Sequence, residues 1–91
     1  MKVRYTETAL LELEEIGAYI AIDNIAAAHA VVNRIKHIIQ RIGDFPNIAR
    51  PMNELGVRIF PVPVFPYLIF YTVGRGEVII RNIRHAGRNR L

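Results

Sequence analysis

Cations crowd the end of this chain. In "VIIRNIRHAGRNRL", residues 78–91, Arg81, Arg84, Arg88 and Arg90 surround His85, and no acid follows Glu77. Arginine stays charged and binds acidic groups through a planar fork of donors. Histidine, with an ordinary pKa of about 6.5, is the group here that can move a proton at neutral pH. The stretch therefore offers acid–base catalysis beside cations, an anion-binding surface, or a solvated tail that protects a sheet edge. Fixed cations outnumber the single titratable group, which favours binding. Arg81, Arg84, His85 and Arg88 are the candidates, and Arg90 reads as solvated. In a regular strand Arg81 and Arg84 point to opposite faces, while Arg81 and His85 share one. His85 also reads as a strand-end residue that orders the tail through a backbone hydrogen bond. Arg58, flanked by Val57 and Ile59, is a further strand cation. Turned inward, it would need a carboxylate partner.

Other chemistries fail on residue type or spacing. The chain has no serine, so a Ser-His-Asp triad is excluded, and no cysteine, so neither a disulfide nor a thiolate zinc site forms. His29 and His37 lie eight apart on one helix, too far to share an ion. No metal and no cofactor are expected. The "GRG" at Gly74–Gly76 is too short for a phosphate loop and reads as a hairpin turn.

The elements that must position these residues follow from composition and periodicity. With 91 residues, 52% of them hydrophobic, the chain suits one domain over residues 1–91. No signal-peptide pattern or membrane-length apolar run occurs, so a cytoplasmic protein with no membrane association is expected. The net charge is +4, and residues 46–91 hold seven arginines against two acids. That asymmetry points to an acidic partner for the second half.

"KVRY" alternates as a strand with Val3 and Tyr5 on one face. Thr6 suits an N-cap, and Ala9, Leu13, Ile16 and Ile20 follow helical spacing up to Ile22. Asn24 can cap a second helix from Ile25 to Ile42. Its main stripe is Ala28, Val32, Ile35, Ile39 and Ile42, with Val31 and Ile38 beside it, and Gly43 is placed to end it. "VRIFPV", "PYLIFYTV" and "EVIIRNIRH" are strands bounded by Pro and Gly. Pro61 and Pro63 should end the second strand or hold it at a sheet edge. The order is β-α-α-β-β-β: an α+β fold with a helical hairpin packed on a mainly antiparallel sheet. "YLIFY" is apolar on both faces, and the helices can cover only one.

At this point the chain resembles the RelE/ParE superfamily of bacterial toxins. The resemblance rests on "TETALLELEEIGAYI", Arg50-Pro51, "GVRIF" at Gly56–Phe60, "PYLIFY" at Pro66–Tyr71 and "IRNIRHAGR" at Ile80–Arg88. It covers nearly the whole length, and the ending with His85 and Arg88 looks like the ParE branch. The resemblance implies a type II toxin that inhibits DNA gyrase as a protein inhibitor rather than a turnover enzyme. It also implies a ParD-like antitoxin as hetero-oligomeric partner, with sequence-specific DNA binding left to that partner. Val31, Ile38, Tyr67, Ile69 and Tyr71 are the expected antitoxin contacts. Arg81, Arg84, His85 and Arg88 are the expected target contacts. The alternatives are a RelE-like ribosome-dependent mRNA endoribonuclease using Arg58, Arg81 and His85, or a non-toxic homologue that only binds its antitoxin.

Overall fold

A computed structural model of the chain describes residues 1–87. The elements run β1 (Lys2–Tyr5), α1 (Glu7–Ala21), α2 (Ile25–Asp44), β2 (Arg58–Pro61), β3 (Tyr67–Val73) and β4 (Glu77–His85). Both helix starts form where the sequence placed them. Thr6 is extended and its Oγ1 accepts the Ala9 N–H at 3.0 Å, while Asn24 Oδ1 accepts the Ala27 N–H at 2.9 Å. Each bond satisfies a donor that the first helical turn leaves unpaired. Arg88 and Arg90 lie outside the described residues.

The four strands form one sheet in the order β1-β4-β3-β2. β1 runs parallel to β4, and the other two pairings are antiparallel. A parallel pair needs a long crossover, supplied here by both helices and the β2–β3 hairpin. The architecture is the expected α+β arrangement, with β2 at an edge. Pro61 ends β2 there, where a missing backbone donor is tolerated. The turn into β4 passes through Gly76 at φ +68°, a conformation that suits glycine.

One sheet face carries the core. Val3, Val78, Ile80, Tyr71, Ile69, Ile83 and Tyr67 pack against Ala9 and Leu13 of α1 and Val31, Ile35, Ile39 and Ile42 of α2. Burying each large aliphatic side chain contributes about 1.5–3 kcal/mol. Val3 and Tyr5 join this face, as alternation requires.

Two details of α2 depart from expectation. Val31, read as a neighbour of the main stripe, is buried in it, whereas Val32 is half-buried and turned toward α1. Both positions lie within the arc a core-facing helix presents. Close approach at Gly17, where an added Cβ would stand 3.2 Å from Val32 Cγ2, settles which points inward. Gly43 does not end α2, since the helix continues to Asp44 and Phe45 follows as the cap. It serves contact instead: an added Cβ would lie 2.7 Å from Val3 Cγ2. Its carbonyl also accepts a bond from the N-terminal amino group at 3.0 Å.

Candidate functional site

The basic stretch lies on β4 beyond the point where β1 stops. β1 pairs with β4 only from Lys2↔Glu77 to Tyr5↔Ile80, so the rest of β4 has an open edge on that side. The chain closes part of that edge as it enters α1. The Thr6 N–H bonds the Ile80 carbonyl at 3.0 Å, and Thr6 Oγ1 donates to the Arg81 carbonyl at 3.0 Å.

Pairing with β3 slips at the same place. Tyr71 pairs with Ile80 and Phe70 with Asn82, which leaves Arg81 as an extra residue on β4. Such a bulge breaks strict alternation and re-aims the side chains around it. Arg81 Nε donates to Thr72 Oγ1 at 3.0 Å, and the Arg84 guanidinium lies 5.7 Å from the centre of the Phe70 ring. Thr72 and Phe70 belong to the alternate set of β3 that points away from the helices. The expected opposition of Arg81 and Arg84 is therefore wrong. The bulge brings both to the helix-free face, around a half-buried apolar strip of Leu68 and Phe70.

Glu12 organises this corner. Its Oε1 accepts the Ile83 N–H at 2.8 Å and an Asn82 Nδ2 hydrogen at 3.2 Å. Its Oε2 lies 3.6 Å from Arg84 Nε. A helix side chain thus takes the place of the missing neighbour strand and holds the root of Arg84. Sequence reading missed this residue, because Glu12 looked like one of several acids off the apolar stripe of α1. Its one local signal was its position one turn past the Ala9 core contact.

His85 does not share a face with Arg81, again because of the bulge. It pairs with Tyr67 on the helix side, with the two rings edge to face at 5.3 Å between centroids. Its Nδ1 accepts the Gly87 N–H at 3.0 Å. This is the tail-ordering bond expected of a strand-end histidine. Arg58 also sits on the helix side, opposite Tyr71, and donates through Nη1 to the Ala49 carbonyl. Its inward partner is a carbonyl rather than the expected carboxylate. Arg58 and Tyr71 together fasten the segment after α2. The Tyr71 hydroxyl donates to the Pro46 carbonyl at 2.9 Å and accepts the Ala49 N–H at 3.3 Å. Burial raises the Tyr71 pKa above 10.0, opposed by the Ala49 bond and by the Arg58 charge. Arg58, Arg81 and His85 are therefore not gathered around one point. Among the described residues no group of three or more His, Cys, Asp or Glu could hold a metal ion. No helix among them is long and apolar enough to cross a membrane.

The family model described as the ParE toxin of the type II toxin–antitoxin system, parDE, matches residues 3–90. The chain belongs to the ParE toxin family. It is 36% identical over 85 residues to "Putative toxin Y4kP" of Sinorhizobium fredii (strain NBRC 101917 / NGR234), covering 93% of this chain and 88% of that one. A solved structure titled "Chromosomal ParDE TA system from P. aeruginosa" superposes with a TM-score of 0.80 at 22% identity. That match covers 93% of this chain and 95% of the other.

Within this ParE-type fold, the expected antitoxin contacts need correction. Val31, Tyr67, Ile69 and Tyr71 are buried under the helices or the sheet, and a partner cannot reach them without unpacking the core. "YLIFY" is apolar at every position, so sequence alone could not say which alternate set faces the helices. The set turned away is Leu68 and Phe70. Ile38 is half-buried at the rim between α2 and β2.

Proposed function

We propose that this ParE-family chain acts as a protein inhibitor of DNA gyrase and is neutralised by a ParD-like antitoxin. The observation that carries a binding mechanism is the pairing of Arg81 and Arg84 on the helix-free face, braced by Thr72, Phe70 and Glu12. Guanidinium groups stay charged and dock carboxylates or phosphates bidentately, but they are poor proton carriers. The other two residues that the nuclease reading draws on, His85 and Arg58, point elsewhere. His85 Nδ1 is engaged by the Gly87 N–H, and Arg58 fastens the segment after α2.

Gyrase as the target is supported by the likeness to the ParE branch, and the acidic or DNA-associated surface of such a target suits two arginines on one face. Arg88, in the same basic run, extends this reading beyond the described residues. An antitoxin partner is supported by the family, whose members come from toxin–antitoxin pairs, and by the ParDE title of the solved relative. Action in the cytoplasm, with sequence-specific DNA binding left to the antitoxin, belongs to the same proposal.

The test is induction of the chain in a bacterium with DNA damage and transcript integrity read separately, beside supercoiling by purified gyrase. Supercoiling should be inhibited and ribosome-bound transcripts left whole. Ribosome-dependent cuts with supercoiling unaffected would replace the proposal with the nuclease reading.

A further inference from the structure

The outer side of the helical hairpin, away from the sheet, leaves large apolar side chains in water. Leu10, Leu11, Tyr19, Ile22 and Ile25 are all exposed, and they lie on α1, at the start of α2 or in the turn between them. Clustered apolar surface of this kind marks an interaction site. An open groove of about 690 Å³ runs between the two helices. Gly17, Ala18, Ala21 and Ala28 line its floor, and Leu10 and Ile25 stand toward its opposite ends. Charge is sorted by helix. α1 holds Glu7, Glu12, Glu14 and Glu15 with no Lys or Arg, whereas α2 holds Arg34, Lys36 and Arg41 against Asp44. Glu14 and Lys36 are the formal charges that line the groove, and His29 is the other titratable group there. The close approach of Gly17 to Val32 sets the register of the antiparallel helices. Glu14 lies three residues before Gly17 and Lys36 four after Val32, so the two stand at one level on opposite walls. They do not pair across the groove. Among the described residues the side-chain ion pairs are Arg4–Glu77 and Arg84–Glu12.

We propose that this face is an interface between two copies of the chain, with a two-fold axis running along the groove. A two-fold interface uses the same patch on both copies, so the patch must be complementary to itself. An axis parallel to the helices lays α1 of one copy on α2 of the other and keeps every residue at its level. Glu14 of each copy then meets Lys36 of the other, and Ile22 of each meets Ile25 of the other. An axis across the helices would lay α1 on α1 and set glutamates against glutamates, so charge selects the first arrangement. Other occupants fit less well. A nucleic-acid backbone asks for several cations, and the groove offers Lys36 beside a carboxylate. An acidic segment meets Glu14. At about 1.5 Å per residue α1 is about 22 Å long, and two helices side by side are about 20 Å wide, roughly 400 Å² of flat face per copy. That size stands near the low end for specific interfaces, so association in the micromolar range is expected. The face lies on the other side of the molecule from Arg81 and Arg84, so it holds or fails independently of the proposed target.

The experiment is sedimentation equilibrium of the full chain over a range of concentrations, with variants that reverse the two charges. The wild type should pass from monomer to dimer in the micromolar range. Glu14→Lys alone and Lys36→Glu alone each turn two attractive contacts into two repulsive ones, and each should weaken the dimer about tenfold. The double swap, Glu14→Lys with Lys36→Glu, should restore most of that loss, which only α1 lying on the other copy's α2 explains. All three changes fall at exposed positions, so the variants should fold, and circular dichroism checks this. Ala18→Arg, also exposed, places a bulky charge in the floor of the groove and should leave a monomer. Arg81→Ala with Arg84→Ala should dimerise as the wild type does. Three results would overturn the proposal. They are a wild type that stays monomeric up to about a thousandfold above the expected range, a dimer that the single reversals and Ala18→Arg leave intact, and single reversals that the double swap does not rescue.

Discussion

The two faces of the β3–β4 hairpin are built from alternate residues of the same strands, yet different physical demands fix them. On the helix side Tyr67, Ile69, Tyr71, Ile80 and Ile83 are almost wholly buried, and their positions follow from packing. On the other side Leu68, Phe70, Thr72, Arg81 and Arg84 form a half-exposed surface whose cations are oriented by named polar contacts. The first face makes the fold stable. The second can change chemistry with little effect on stability, because its side chains already meet water. The bulge at Arg81 separates these tasks within a single strand, since it keeps Ile80 and Ile83 inward while placing Arg81 outward.

This division predicts a descending series of stability effects. Ile69→Ala should destabilise the chain by about 2–5 kcal/mol, as large-to-small core changes do, while Leu68→Ala next to it should cost well under half of that. Denaturant midpoints for the pair measure it, and equal shifts would mean that the two faces are equally packed. Glu12→Ala should come next, at about 1–3 kcal/mol, because it strips the acceptor from the Ile83 N–H. Amide hydrogen exchange at Ile83 should quicken in that variant while exchange at Ile80 stays slow. Unchanged exchange at Ile83 would show that Glu12 does not complete the sheet edge.

Tyr71→Phe should cost about 1 kcal/mol by removing the hydroxyl that ties Pro46 and Ala49. It should also alter the alkaline limb of stability. The folded-state pKa of Tyr71 is raised above 10.0 by burial, and Tyr5 is raised for the same reason. Above about pH 10 the unfolded chain therefore loses phenolic protons that the folded chain retains. Stability is fully present below that pH and falls as pH rises through the raised values. The fall should be shallower in Tyr71→Phe. A steeper or unchanged alkaline limb would count against a buried neutral phenol.

Much of the fold was legible in the sequence because its signals are local. Thr6 and Asn24 mark helix starts through cap chemistry, Gly74–Gly76 marks a hairpin, and Pro61 marks an edge. Periodicity located both helices, but it could not choose between Val31 and Val32, which occupy neighbouring parts of the same arc. The choice depends on how closely α1 approaches at Gly17, a property of two elements together. The site was less legible for the same reason. "YLIFY" reads alike in either orientation, so nothing in the stretch itself says that Tyr67, Ile69 and Tyr71 are the buried set. Strict alternation predicts that Arg81 and Arg84 diverge, and the slip in pairing between β3 and β4 that overrides it leaves no mark in β4 alone. Glu12 is more than seventy residues from Ile83 in sequence, and only the end of β1 at Tyr5 creates the vacancy it fills. The family resemblance, resting on the order of several weak motifs, located the chain where single residues could not.

The smallest expected effect on stability carries the largest functional consequence. Arg81→Ala with Arg84→Ala should cost less than about 1 kcal/mol and move the melting temperature by no more than several degrees, since an exposed ion pair such as Arg84–Glu12 contributes about 0–1 kcal/mol. The decisive measurement compares this double variant with His85→Gln in a growth-arrest assay on induction, at matched soluble protein levels. If the helix-free face binds the target, the double variant loses most of its toxicity while His85→Gln keeps much of it. If His85→Gln abolishes toxicity and the arginine pair proves dispensable, acid–base chemistry rather than a binding face is the basis of action, and the account fails.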